Sequence, residues 1–98
     1  MRMTTDRLIE EILDFMTILY RCHAGTTYAE DRAIYAKDLT MAMSWIVELR
    51  SGVDIKEIID KISSPETDKY FTDYWRQGEW GAKEADALEA LKVAIIAA

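Results

Sequence analysis

Apolar side chains recur every three or four residues along almost the whole chain, and a chain patterned that way has few folds open to it. In the first segment Leu8, Ile12, Phe15, Met16, Leu19 and His23 keep this interval, while Ile9, Leu13 and Tyr20 widen the stripe. Thr4 or Thr5 can accept bonds from the free amides of a first turn, and Gly25 offers the left-handed residue at which a helix ends. Thr27, Tyr28, Ala29 and Glu30 fit a capping box, in which a threonine oxygen and a glutamate carboxylate each satisfy one unpaired amide. From there Tyr28, Tyr35, Leu39, Ala42, Ile46 and Leu49 hold a seam until Ser51-Gly52 stops it, which predicts a second helix over 28–50. The link Ala24-Gly25-Thr26 is so short that helices one and two should form an antiparallel hairpin.

The rest of the chain continues the pattern with its own punctuation. Asp54 and Glu57 mark the start of a third helix, with Val53 and Ile58 placed as a hydrophobic staple around it. Ser64-Pro65-Glu66 then opens a fourth over 65–76: serine caps, proline needs no amide bond in the first turn, and the acid meets the positive end of the helix dipole. Gly78 closes that helix, and Ala85, Leu88, Leu91, Ile95 and Ile96 carry a last one over 82–97. No stretch alternates with period two, and no repeat, linker or low-complexity tract occurs. The expectation is an all-α compact bundle of four to five short helices in one domain, 1–98.

Charge and cysteine usage restrict the partners. The net charge of −6 is spread along the chain, and no segment has the excess of Lys and Arg from which nucleic-acid binding draws its affinity. A direct nucleic-acid ligand is therefore not expected. Cys22 is the only cysteine, so the fold does not depend on an internal disulfide. Acids interrupt the first residues where a signal peptide would be apolar, and no apolar run reaches about 18 residues. These features predict a cytoplasmic protein without a membrane partner.

Reactive chemistry finds little support. His23 and Cys22 are neighbours, about 100° apart on a helix, and do not make a ligand set or a nucleophilic triad. The four glycines stand at the ends of elements and form no phosphate loop. A helix-turn-helix through helices three and four would offer Glu66, Asp68 and Asp73 to a phosphate backbone, against Lys69 and Arg76. Neither catalytic residues, a metal site nor a cofactor is expected.

One acidic pattern points elsewhere. Glu10-Glu11-Ile12-Leu13-Asp14 and Glu57-Ile58-Ile59-Asp60 each place carboxylates three or four residues apart on one helix face, the way helical proteins collect oxygen ligands for magnesium. The pair resembles a fragment of the all-α nucleotide pyrophosphohydrolase pattern. It departs from that pattern in the long separation of Asp14 from Glu57 and in having an aspartate at 14. The resemblance implies a magnesium-dependent phosphohydrolase as the alternative reading, carried by Glu10, Glu11, Asp14, Glu57 and Asp60.

The remaining signal is apolar excess. Tyr70, Phe71, Tyr74, Trp75 and Trp80 place five aromatic side chains within 70–80. The first four form a stripe about as wide as one core face, whereas Trp80 stands between Gly78 and Gly81, where a turn would leave it partly uncovered. On helix two Ile34, Met41 and Trp45 form a second stripe outside the main seam, and the chain ends in the apolar run VAIIAA. So small a bundle has limited room to hide all three.

These features predict a non-catalytic acidic protein that binds and occludes a protein target. Trp80 with Tyr74, and Trp45 with Met41, are the expected anchors. Glu66, Asp68, Asp73 and Glu79 are the acids expected to steer towards a basic surface. By analogy of class alone, short acidic helical chains without catalytic groups often serve as immunity proteins, antitoxins or phage anti-defence inhibitors, anti-CRISPR proteins included. A symmetric homodimer built on the leftover stripes is a further alternative.

Overall fold

A computed structural model describes residues 3–24, 28–72 and 79–97, leaving out the side chains of 22, 23, 72 and 79–83. The expected all-α bundle is what forms. Five helices follow in order: α1 (Thr5–Ala24), α2 (Ala29–Arg50), α3 (Ile55–Ser63), α4 (Pro65–Thr72) and α5 (Glu79–Ala97). There is no strand among the described residues. The radius of gyration, 13.3 Å, is that of a chain of this length folded around one centre.

Most helix ends follow from their local chemistry. The Arg7 amide donates to Thr4 Oγ1 at 3.1 Å, so Thr4 caps α1. Tyr28, which makes no side-chain bond to the first turn, stands at the cap position of α2; Thr27 and Gly25 lie outside the described residues. α2 ends at Gly52, whose φ of 97° is the left-handed conformation that glycine adopts without strain. There the Gly52 amide donates to the Leu49 carbonyl and the Val53 amide to the Glu48 carbonyl, a Schellman ending. The Asp54 carboxylate accepts from the Lys56 amide at 2.9 Å and opens α3. Ser64 serves two helices, donating its hydroxyl to the Lys61 carbonyl behind it and accepting from the Thr67 amide ahead of Pro65.

One boundary differs from expectation. α5 begins at Glu79 rather than at 82, so the backbone at Trp80 and Gly81 is helical and not a turn. A single glycine costs a helix only about 1 kcal/mol relative to alanine, and the periodic stretch that follows outweighs it. For α4, positions 73–76 lie outside the described residues.

The helices meet in one hydrophobic cluster to which all five contribute: Leu8, Ile12, Phe15 and Leu19 from α1, Trp45, Ile46 and Leu49 from α2, Ile58 and Ile62 from α3, Phe71 from α4, and Leu88 and Leu91 from α5. α1 packs most extensively on α2 and next on α5, while α4 leans chiefly on α5. At the centre the Phe71 ring meets Phe15 edge-on at 5.2 Å and Trp45 at 5.8 Å, an arrangement that suits the positive edge and negative face of aromatic rings. Phe71→Ala should therefore lower stability by about 3–5 kcal/mol in urea unfolding, because it leaves a cavity between three helices. Tyr28→Ala, at a side chain 72% exposed, should stay within about 0.5 kcal/mol of the parent.

Candidate functional site

Two features stand apart from an ordinary helical core: an apolar face that no helix among the described residues covers, and two acids that the core encloses. The face runs along the outside of α1 and α2. Met16 of α1 and Leu39, Thr40, Met43, Ser44, Val47 and Glu48 of α2 line an open groove of about 600 Å³. Leu39, Met43 and Val47 follow one another at four-residue intervals, one turn apart on one side of α2. Leu13 and Tyr20 stand one turn before and after Met16 on α1. Leu13 is 45% exposed, Tyr20 61%, Met43 43% and Val47 55%, so this strip of large apolar side chains meets water along both helices. Single exposed apolar residues are ordinary on a protein surface, but six converging along two adjacent helices make a patch.

The face exists because of where the other helices sit. α2 carries apolar residues on more than one side, and α3 and α4 take the side of Met41 and Trp45. Lys61 of α3 pairs with Glu48 at 2.9 Å, and the Tyr70 hydroxyl of α4 donates to the Lys37 carbonyl at 3.3 Å. The Lys37 ammonium lies 4.4 Å from the centre of the Tyr70 ring, a cation–π contact across the same junction. Nothing among the described helices lies over the Met43 and Val47 side.

The expected anchors fare differently. Trp45 is 2% exposed and packs between Phe15 and Phe71, so its indole belongs to the core and not to a free surface. Met41 is half-buried and, with Trp45, borders a smaller cleft closed by polar groups of Lys61, Ser64 and Thr67. Glu66 and Asp68 are exposed on α4, and Asp68 forms an ion pair with Lys92 of α5. Glu79 and Trp80 lie in the first turn of α5 with side chains outside the described residues; Asp73 and Tyr74 lie wholly outside them. Phe71 takes the core place expected of the aromatic stripe and Tyr70 is half-buried beside it, while Trp75 is outside the described residues. Of the apolar tail, Ile95 packs on the core and Ile96 is 82% exposed.

The acids of the pyrophosphohydrolase resemblance are not brought together. No group of three or more His, Cys, Asp or Glu among the described residues is placed to hold a metal ion. Glu10, Glu11 and Asp14 lie on α1 and Glu57 and Asp60 on α3, two helices without an extensive mutual contact.

Asp38 of α2 and Glu84 of α5 form the second feature. Both are buried, at 1% and 0% exposure. No amide, hydroxyl or amino group among the described residues donates to either Asp38 oxygen. Burial pushes the Asp38 carboxyl up to about 6, against the opposing pull of the Glu84 hydrogen bond and the Lys37 charge. The Tyr70 hydroxyl of α4 is also held above its ordinary value, by burial and by the Asp38 charge. Sequence periodicity contained a signal for the pair. Asp38 stands between Tyr35 and Ala42 in the seam of α2, and Glu84 stands four residues before Leu88, so both acids occupy core positions.

No protein family matches the chain, and neither a curated protein nor a solved structure matches it. No helix among the described residues is long and apolar enough to cross a membrane.

The burial of Trp45 yields a direct check. With Trp75 and Trp80 both replaced by Phe, the remaining indole should emit at short wavelength and resist acrylamide. Emission near that of free tryptophan, with easy quenching, would contradict its place between Phe15 and Phe71.

Proposed function

We propose that this chain is a non-catalytic binding protein that occludes a protein target through the outer face of α1 and α2. The observation that carries the reading is the open apolar groove with Leu13, Tyr20, Met43 and Val47 exposed around it. A helix laid along it would bury its own apolar stripe against Leu39, Met43 and Val47, the helix-in-groove mode of recognition. Trp80 and Tyr74 keep their expected role as further anchors in this proposal. Trp45 acts only from beneath, by holding α2 in place.

Charge selects the occupant. The chain is acidic, Glu48 lines the groove, and Glu10 stands exposed one turn before Leu13 on α1. An amphipathic helix or ridge flanked by Lys or Arg fits this surroundings, whereas an acidic partner is repelled. Glu66 and Asp68, with Asp73 and Glu79, add to the same field and would raise the association rate more than the affinity. The reading matches the general design of small acidic inhibitors such as immunity proteins, antitoxins and phage anti-defence proteins, in which blocking a surface is the whole mechanism. A cytoplasmic setting suits that role.

Site-specific photocrosslinking in the native cell tests the proposal. A photoreactive residue at Met43 should give one adduct with a basic protein, while the same residue at exposed Lys56 on α3 should not. The double variant Met43→Glu with Val47→Glu should remain folded and weaken capture of that protein at least about tenfold. Equal adducts from both positions, or undiminished capture by the double variant, would refute the docking face. An adduct with a second copy of this chain would replace the target with a homodimer.

A further inference from the structure

A second opening lies on the other side of α1 from the groove, and its chemistry differs. Asp14, Phe15 and Ile18 of α1 face Ala87, Ala90 and Leu91 of α5 across a cleft of about 220 Å³. Two alanines on α5 leave room there that larger side chains would fill. The cleft is apolar within, since Phe15, Ala87 and Leu91 belong to the core, and Ile18 is 38% exposed beside them. Its charge comes from two acids of α1. Glu11, which also lines the cleft, is held by Arg7 at 3.0 Å, whereas Asp14 is exposed and has no ion pair or hydrogen bond among the described residues. Arg21, exposed on the same helix, stands two turns from Asp14, about 10 Å along the axis, and leaves that carboxylate unpaired.

Size and charge together choose the occupant. Pockets that enclose drug-sized ligands run to about 300–1,000 Å³, so this cleft has room for one side chain and not for a cofactor. An aliphatic stem that ends in a cation suits it, with methylenes along Ile18, Ala90 and Leu91 and the charged head in water beside Asp14. The compact, strongly hydrated ammonium of lysine fits a narrow cleft with a wet edge better than the broad guanidinium of arginine. An acidic side chain would meet charge of its own sign.

We propose that this cleft is a socket for one lysine side chain of the protein target, a step that rests on the docking of a basic protein along α1 and α2. Helix geometry joins the two places. Met16 faces the groove and Asp14 and Ile18 the cleft, with Thr17 exposed on the crest between them. A lysine of a helix seated in the groove passes its stem over Thr17 and enters the cleft. The groove supplies apolar contact, and the socket selects among targets that offer it.

Methyl NMR of the full chain, titrated with Nα-acetyl-lysine methylamide at constant ionic strength, tests the socket without any target present. The probe should shift the methyl signals of Ile18, Ala90 and Leu91 below about 100 mM and leave the Met43 methyl in place. Nα-acetyl-norleucine methylamide has the same stem without the charge and should bind about two- to fivefold more weakly, and Asp14→Asn should weaken the lysine probe by a similar factor. Ala90→Leu, at an exposed helical position, should fill the cleft and abolish the shifts. Absence of shifts with the lysine probe would overturn the socket, as would equal binding of the norleucine amide or a response unchanged in Asp14→Asn or Ala90→Leu. A silent titration beside a specific adduct at Met43 removes the socket and leaves the docking face. The reverse result removes the docking face and keeps a lysine-binding cleft.

Discussion

The fold depends on Phe71 wedging against the stacked rings of Phe15 and Trp45. α4 is only eight residues long and could not hold its place by backbone bonding alone, so its position rests on what it inserts into the rest of the molecule. One buried phenylalanine contributes about 1.5–3 kcal/mol, and its edge-on contact with Phe15 adds to that. The same ring touches a residue from each of the two longest helices. Removing it would loosen α4 and leave a gap beside the stacked rings of Phe15 and Trp45.

From this wedge the location of the open face follows. α2 has more apolar residues than one contact can cover, so two sides of it compete for neighbours. Phe71 and Tyr70 draw α4 to the side of Trp45, Met41 and Lys37, and α3 is tied there by the bond from Lys61 to Glu48. α1 covers the seam of Ala42, Ile46 and Leu49. The strip of Leu39, Met43 and Val47 is left at the outer junction with α1, where Leu13 and Tyr20 extend it. Core packing and the open apolar face are thus two consequences of one choice of neighbours.

That choice explains what could be read from the sequence and what could not. Helix order and most helix ends were legible, because Thr4, Gly52, Asp54 and Ser64 act on amides and carbonyls only a few residues away. The start of α5 was misplaced because Gly81 reads as a stop, although a helix tolerates one glycine when its following turns are well buried. The apolar excess was also legible, but its location was not. Trp45 and Met43 lie on different sides of α2, and spacing alone cannot say which side receives α3 and α4. Long-range packing settled it: Trp45 went to the core and Met43 to the surface. Asp38 and Glu84 stand at core positions of the periodic pattern, yet only the packed fold shows that both acids are enclosed.

Packing around the three rings leaves the outer face of α1 and α2 without a covering helix among the described residues. Carbene footprinting of the purified monomer, read by mass spectrometry residue by residue, tests this most directly. Leu13, Tyr20, Met43 and Val47 should take up label readily, with Phe15, Trp45 and Phe71 nearly unmarked. Label on Met43 and Val47 as low as on Phe71 would contradict it.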